Sequence, residues 1–178
     1  APALPATSTR PSPPAPEDAA RLAAPLRAAE RPILLAGHAL DSEAGRAALQ
    51  RFAEAWRLPV AVSFRRQDLF PNAHGLYAGD LGLRNPDAQR AAFAEADLVL
   101  ALGTRLTDIT TQGWTWPAPG QRLVHVCAEP RFLGWHFPAE LALAADAQAV
   151  IAALEAEAPG APAGRTAWND RLRALHLA

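Results

Sequence analysis

The chain has 178 residues, half of them hydrophobic, and a formal net charge of -1, which suits one domain able to bury roughly 70% of its unfolded surface. All seventeen basic residues are arginines, and they are scattered, so there is no lysine for a Schiff base or a Gly-Lys-Ser/Thr phosphate loop, and no electrostatic footprint for nucleic acid. A single cysteine, Cys127, excludes an internal disulfide, and nothing resembles a zinc pattern or a Cys-based redox pair; no apolar run approaches membrane-spanning length, and the expected setting is cytoplasmic.

Residues 1–16 carry six prolines among alanine, serine and threonine, a composition that favours extended linker. The start Ala1-Pro2-Ala3, without methionine, suggests a processed or excised chain. Ala20, Leu22, Ala23, Leu26 and Ala29 recur at helical spacing from Glu17 to Glu30, and Pro32 bars continuation. Ile33 to Ala36 reads as a short buried strand, followed by Gly37 and His38. Asp41 or Ser42 caps the next helix, whose inner stripe is Leu49, Phe52, Ala53 and Trp56.

Pro59 to Val62 is a second strand, and residues 63–85, rich in Gly, Asn, Asp and Arg, read as a long irregular crossing of the kind that covers or carries function. A helix from Pro86 to Glu95 leads into Leu98 to Leu102, an unbroken apolar run between Asp97 and Gly103. That is the pattern of a central parallel strand covered on both faces. Ligands in open α/β sheets sit beyond the carboxyl ends of such strands, so Gly103, Thr104 and Arg105 occupy ligand-holding positions; the plainer alternative is a tight turn with Arg105 paired to a carboxylate. A loop with Trp114 and Trp116 follows; such aromatics pack on their own domain or face a neighbour. Next come a strand at Arg122 to Val126, a loop through Pro138, a strand at Leu141 to Ala144, and a helix from Ala147 to Glu157 capped by Asp146.

The succession predicts an α/β fold: a doubly wound, mostly parallel, six-stranded Rossmann-like sheet with helices on both faces. Residues 158–164 form a second Pro/Gly/Ala linker. The helix from Arg165 to Ala178, with Trp168, Leu172 and Leu175, has no evident place in the domain just closed and reads as the start of a following one. Residues 17–157 are thus the expected domain. His125 reads as a strand residue with a satisfied ring, Cys127 as a small buried hydrophobe, His74 as unsuited to any metal, and Arg65-Arg66 as a solvated pair. No sign of a raised pKa marks Glu129 as a general base.

Ala29 to Gly37, Leu76 to Gly82, Ala96 to Asp108, Arg122 to Val126 and Ala144 to Ala147 occur in an order and spacing that resemble the central domain of thiamine-diphosphate-dependent enzymes of the acetolactate synthase and benzoylformate decarboxylase type. The resemblance spans about residues 16–157. It implies a scaffold domain between N- and C-terminal thiamine-binding domains of one polypeptide, in a homodimer or homotetramer that decarboxylates or carboligates 2-keto acids with thiamine diphosphate and Mg2+. The family's activating glutamate and its Gly-Asp-Gly…Asn motif lie outside this domain, and here Gly79-Asp80 is followed by Leu81. No catalytic or metal residue is expected in this chain alone.

Some relatives hold FAD or ADP in this domain, and the positions similar to that cleft are Gly37, His38, Leu81, Gly82, Gly103, Thr104, Arg105 and Asp146. Departures stand beside them. Cys127 occupies the place of an acidic residue, and Ile109 that of a second arginine. Asp146 also serves simply as an N-cap. The rival readings are a stand-alone FAD- or NAD-binding module, weakened by the lack of Gly-x-Gly-x-x-Gly after the first strand, and a purely structural interaction domain.

Overall fold

Five helices and six strands build the computed structural model, which describes residues 13–158 and 164–178. Most of the first expected linker and nearly all of the second lie outside the described residues. The helices are α1 (Pro16–Ala28), α2 (Glu43–Trp56), α3 (Asp87–Ala94), α4 (Ala147–Glu155) and α5 (Arg165–Leu177). The strands are β1 (Pro32–Ala36), β2 (Val60–Val62), β3 (Tyr77–Asp80), β4 (Leu98–Leu102), β5 (Arg122–Val126) and β6 (Leu141–Leu143). They form one sheet in the order β3-β2-β1-β4-β5-β6, parallel at every pairing.

The period-two geometry of a strand sends alternate side chains to opposite faces. Leu34, Val60, Leu98, Leu100 and Val124 therefore join a core with Leu22 and Leu26 of α1, Phe52 and Trp56 of α2, and Ile151 and Leu154 of α4. Ile33, Leu35, Ala61, Val99 and Leu123 point the other way, onto Ala92 and Phe93 of α3 and Trp168 and Leu172 of α5. Every residue of β1, β2 and β4 is buried, which is why these strands read as continuous apolar runs.

Local chemistry sets the boundaries. Ser42 accepts the Gly45 N–H at 3.0 Å and caps α2; Asp146 accepts the Ala149 N–H at 2.8 Å and caps α4. Asp97, just before β4, accepts the backbone N–H groups of Glu30 and Arg31 at 2.8 and 3.0 Å. This clamp holds the entry to β1 in register, with Pro32 opposite Leu98.

Three sequence expectations are corrected. The first helix starts at Pro16, tolerated in a first turn, and leaves helical geometry at Ala29, just after Pro25 in its last turn. Residues 63–85 are not irregular throughout, since Tyr77–Asp80 pairs with β2 as the edge strand β3. The last helix has a place in the fold. It packs on β3 and α3, and its first residue, Arg165, is fully buried.

That arginine meets the ends of two other helices. Its guanidinium donates to the carbonyls of Leu26 and Ala29 at the end of α1, with Ala29 at 2.9 Å, and to the last carbonyl of α2, Trp56, at 2.7 Å. Terminal helix carbonyls lack internal partners and carry partial negative charge, so one cation satisfies both ends. Asn169 extends the cap to the Arg57 carbonyl at 3.1 Å, and the Trp168 indole N–H donates to Pro32 O at 2.8 Å.

Candidate functional site

The strand order reverses between β1 and β4, and a cleft of about 450 Å³ opens there beyond the carboxyl ends of the strands, where doubly wound sheets bind ligands. Gly103 lines it, and Gly37 packs directly against Gly103 and Thr104. A side chain on Gly37 would come within 2.4 Å of Gly103 O, and one on Gly103, at φ +65, within 2.7 Å of the Ala39 Cβ. Because neither carries one, the two loops zip together: Gly37 N donates to Leu102 O and Ala39 N to Gly103 O, at 2.9 and 3.1 Å.

Four strand ends then supply its walls: His38 after β1; Ser63, Phe64 and Arg66 after β2; Thr104, Arg105, Thr107 and Thr110 after β4; Cys127 and Glu129 after β5. Two arginines, from different strand ends, thus border a space rich in hydroxyls. The Arg105 guanidinium lies over the Phe132 ring, 5.5 Å from its centroid. Arg66 is 3.8 Å from Asp41. The one carboxylate among these wall residues, Glu129, is paired with Arg131 at 2.6 Å.

Beneath the wall, His125 is buried, and its Nε2 stands 2.8 Å from Thr104 O. Burial lowers its pKa, so at neutral pH the ring is uncharged and Nε2–H donates to that carbonyl, fixing Thr104. Burial likewise pushes the Cys127 thiol up. It stays protonated and a poor nucleophile. Among the described residues no cluster of three His, Cys, Asp or Glu side chains stands ready for a metal. The cleft's chemistry is that of anion and hydroxyl recognition.

Of the residues singled out in the sequence, Gly37, His38, Gly103, Thr104 and Arg105 meet here. Three others stand apart. Leu81 is buried in the core beside α3 and borders a separate depression with Phe93 and Trp116. Gly82 N donates to Asn85 Oδ1 at 2.9 Å, and its carbonyl accepts from Gln112 at 2.8 Å. Asp146 is occupied as the cap of α4. Arg66, expected as half of a solvated pair, lines the cleft, as do Ser63, Thr107 and Thr110. The available signal was position: Ser63 to Arg66 follow β2 as Gly103 to Arg105 follow β4. His74 is satisfied by Glu54 at 3.1 Å and the Leu76 N–H. Trp116 is buried with its indole on Phe93 O at 3.2 Å, whereas Trp114 is 42% exposed.

A parallel sheet in this order, with a polar cleft at its switch point, defines a Rossmann-like binding or scaffold domain. The chain belongs to the family of thiamine pyrophosphate enzyme central domains, whose model matches residues 19–154. It is 30% identical over 122 residues to a probable acetolactate synthase large subunit of Methanocaldococcus jannaschii, covering 68% of this chain and 21% of that protein. It is 35% identical over 157 residues to a sulfoacetaldehyde acetyltransferase of Rhodobacter capsulatus, covering 85% and 26%, and 30% identical over 127 residues to a glyoxylate carboligase of Escherichia coli, covering 71% and 21%. The chain therefore spans a fifth to a quarter of the length of the curated relatives it matches.

Proposed function

We propose that this chain is the non-catalytic middle domain of a longer thiamine-diphosphate-dependent enzyme that decarboxylates or carboligates 2-keto acids, with residues 1–16 and 158–164 as connectors to thiamine-binding domains on either side. The observation that carries this is the family match over residues 19–154 within relatives four to five times longer. Thiamine diphosphate and Mg2+ belong to the outer domains of that cytoplasmic homodimer or homotetramer. Here the fold acts as spacer and scaffold.

The cleft adds a binding role. Its donors fit the diphosphate of ADP or FAD, since Arg66, Arg105 and the hydroxyls of Thr104 and Thr107 border one space, and charge-assisted bonds to phosphate contribute about 1.5–3 kcal/mol each. The fit is weaker for a ribose, whose hydroxyls would compete with Arg131 for Glu129. A flavin bound there would bring a redox-active ring, whereas ADP would bring only charge and shape.

Two measurements test this. The full-length polypeptide, supplied with thiamine diphosphate, Mg2+ and a 2-keto acid, is expected to turn it over while the 178-residue chain does not; a reading frame with no thiamine-binding regions overturns the assignment. Calorimetry with ADP and FAD is expected to show binding that Arg105→Gln weakens at least about tenfold, as the loss of one charged bond requires. Heat signals unaffected by that change remove the phosphate role.

A further inference from the structure

The two arginines that border the cleft are held in different ways. Arg66 stands 3.8 Å from the Asp41 carboxylate. Arg105 makes no ion pair among the described residues; its guanidinium lies over the Phe132 ring, 5.5 Å from the centroid, and the space they share with His125 and His136 has no room for a water molecule. The difference matters for a grip on an anion. A carboxylate partner takes up the N–H fork of a guanidinium, whereas an aromatic ring meets its face and leaves the N–H edge open. Arg105 is therefore fixed in direction without its donors being used.

The ring is itself anchored. Phe132 ends the short turn Pro130–Phe132, and its N–H donates to Glu129 O at 3.2 Å. A second guanidinium, that of Arg131, lies over the same ring at 4.8 Å, and Glu129 pairs with it at 2.6 Å. Glu129 lines the same cleft as Arg105. The Cys127 thiol feels both: beyond burial and a hydrogen bond at the Glu129 backbone, the Glu129 carboxylate raises its pKa and Arg105 lowers it. A carboxylate released from Arg131 would thus find Arg105 in the same cleft. Glu129 and Arg131 are both exposed, so their pair adds little stability; its consequence is the direction in which the carboxylate is drawn.

We infer that Phe132 and Arg131 are positioning residues for the anion grip: Phe132 parks the Arg105 guanidinium, and Arg131 draws Glu129 aside, so that the N–H edge of Arg105 stays available to a diphosphate. Neither residue lines the cleft, and both act through Arg105. This rests on the phosphate role proposed above for that arginine.

The test is calorimetry with ADP on the full-length polypeptide, with thiamine diphosphate and Mg2+ held at saturation so that diphosphate sites outside this chain are filled. Phe132→Leu and Arg131→Gln are each expected to weaken ADP about two- to fivefold, the scale of an exposed cation–π contact or ion pair. Phe132→Tyr, which keeps the aromatic face, is expected to bind as the unmodified protein does. The decisive readouts are two double-variant cycles. Phe132→Leu is expected to change nothing further once Arg105→Gln has removed the cation, and Arg131→Gln nothing further once Glu129→Gln has removed the carboxylate. A Phe132→Leu effect that persists without Arg105 would reduce the ring to a support of its own loop, and an Arg131→Gln effect that persists without Glu129 would reduce Arg131 to one more positive charge. Either result overturns that residue's assignment, as does an unaltered affinity in its single variant. The Arg131 and Glu129 cycle involves only exposed side chains, so it decides its half even where Phe132→Leu fails to fold. An Arg105→Gln variant that binds ADP unchanged removes the phosphate role and this inference together, whereas weakened binding there with additive cycles removes the inference alone.

Discussion

Arg165 shows how one residue can decide an architecture. It buries a full charge against three carbonyls, and hydrogen bonds to charged groups contribute about 1.5–3 kcal/mol each. Arg165→Met keeps the aliphatic volume but leaves the ends of α1 and α2 unsatisfied. The expected cost is about 3 kcal/mol or more, since each buried carbonyl left without a partner costs about 1–3 kcal/mol, read as a lower urea midpoint; a loss below about 1 kcal/mol would show that water replaces the guanidinium. His125 gives the pH dependence. Burial lowers its folded pKa, while the unfolded chain takes up the proton near pH 6.5. Protons thus favour the unfolded state, and stability is complete above about pH 6.5 and falls as pH drops through and below it. His176, lowered by burial and by Arg173, acts in the same sense. Melting temperatures from pH 8 to 5 should fall, with a shallower slope in His125→Gln despite its lower starting value. An unchanged slope would assign the titration elsewhere.

At the scale of elements, β1 and β4 were legible because burial on both faces demands apolar residues at every position. The strand β3 was not. Its sequence Tyr77-Ala78-Gly79-Asp80 carries a glycine at φ +105 and an edge aspartate, both of which read locally as turn. In the cleft, Gly103 to Arg105 declared themselves by following an unmistakable strand, whereas Arg66 follows a strand of only three residues and looked like surface. Leu81, Gly82 and Asp146 entered through resemblance, and the geometry keeps them outside this cleft. The place of α5 was hidden for another reason, since its partners lie more than a hundred residues upstream. Its weight is testable by ending the chain at Ala158. Losing buried Trp168 alone forfeits about 3–5 kcal/mol, and with Arg165 the loss reaches the lower end of total domain stability, about 5–15 kcal/mol. Lost near-UV circular dichroism and new binding of a hydrophobic dye are expected; an unaltered melting curve would show α5 to be a passenger.

For the whole molecule, two cores share one sheet, and strands β1 to β5 each contribute to both. A change on either face is therefore felt through strands that also serve the other, and the cleft inherits its rigidity from β1, β4 and β5 together. The Arg165 contact ties together parts of the chain far apart in sequence. Residues 16–62 carry α1, β1, α2 and β2 as near neighbours in sequence, whereas the guanidinium must find Leu26, Ala29 and Trp56 across separations of 109 to 139 residues. Long loops cost entropy before their contacts reward it, so α5 is expected to dock after the elements it caps. A chain that has left the ribosome only as far as residue 158 thus still lacks the cation that joins the ends of α1 and α2 and the helix that covers the α3 face, and its packing is complete only once the thirteen residues of α5 follow.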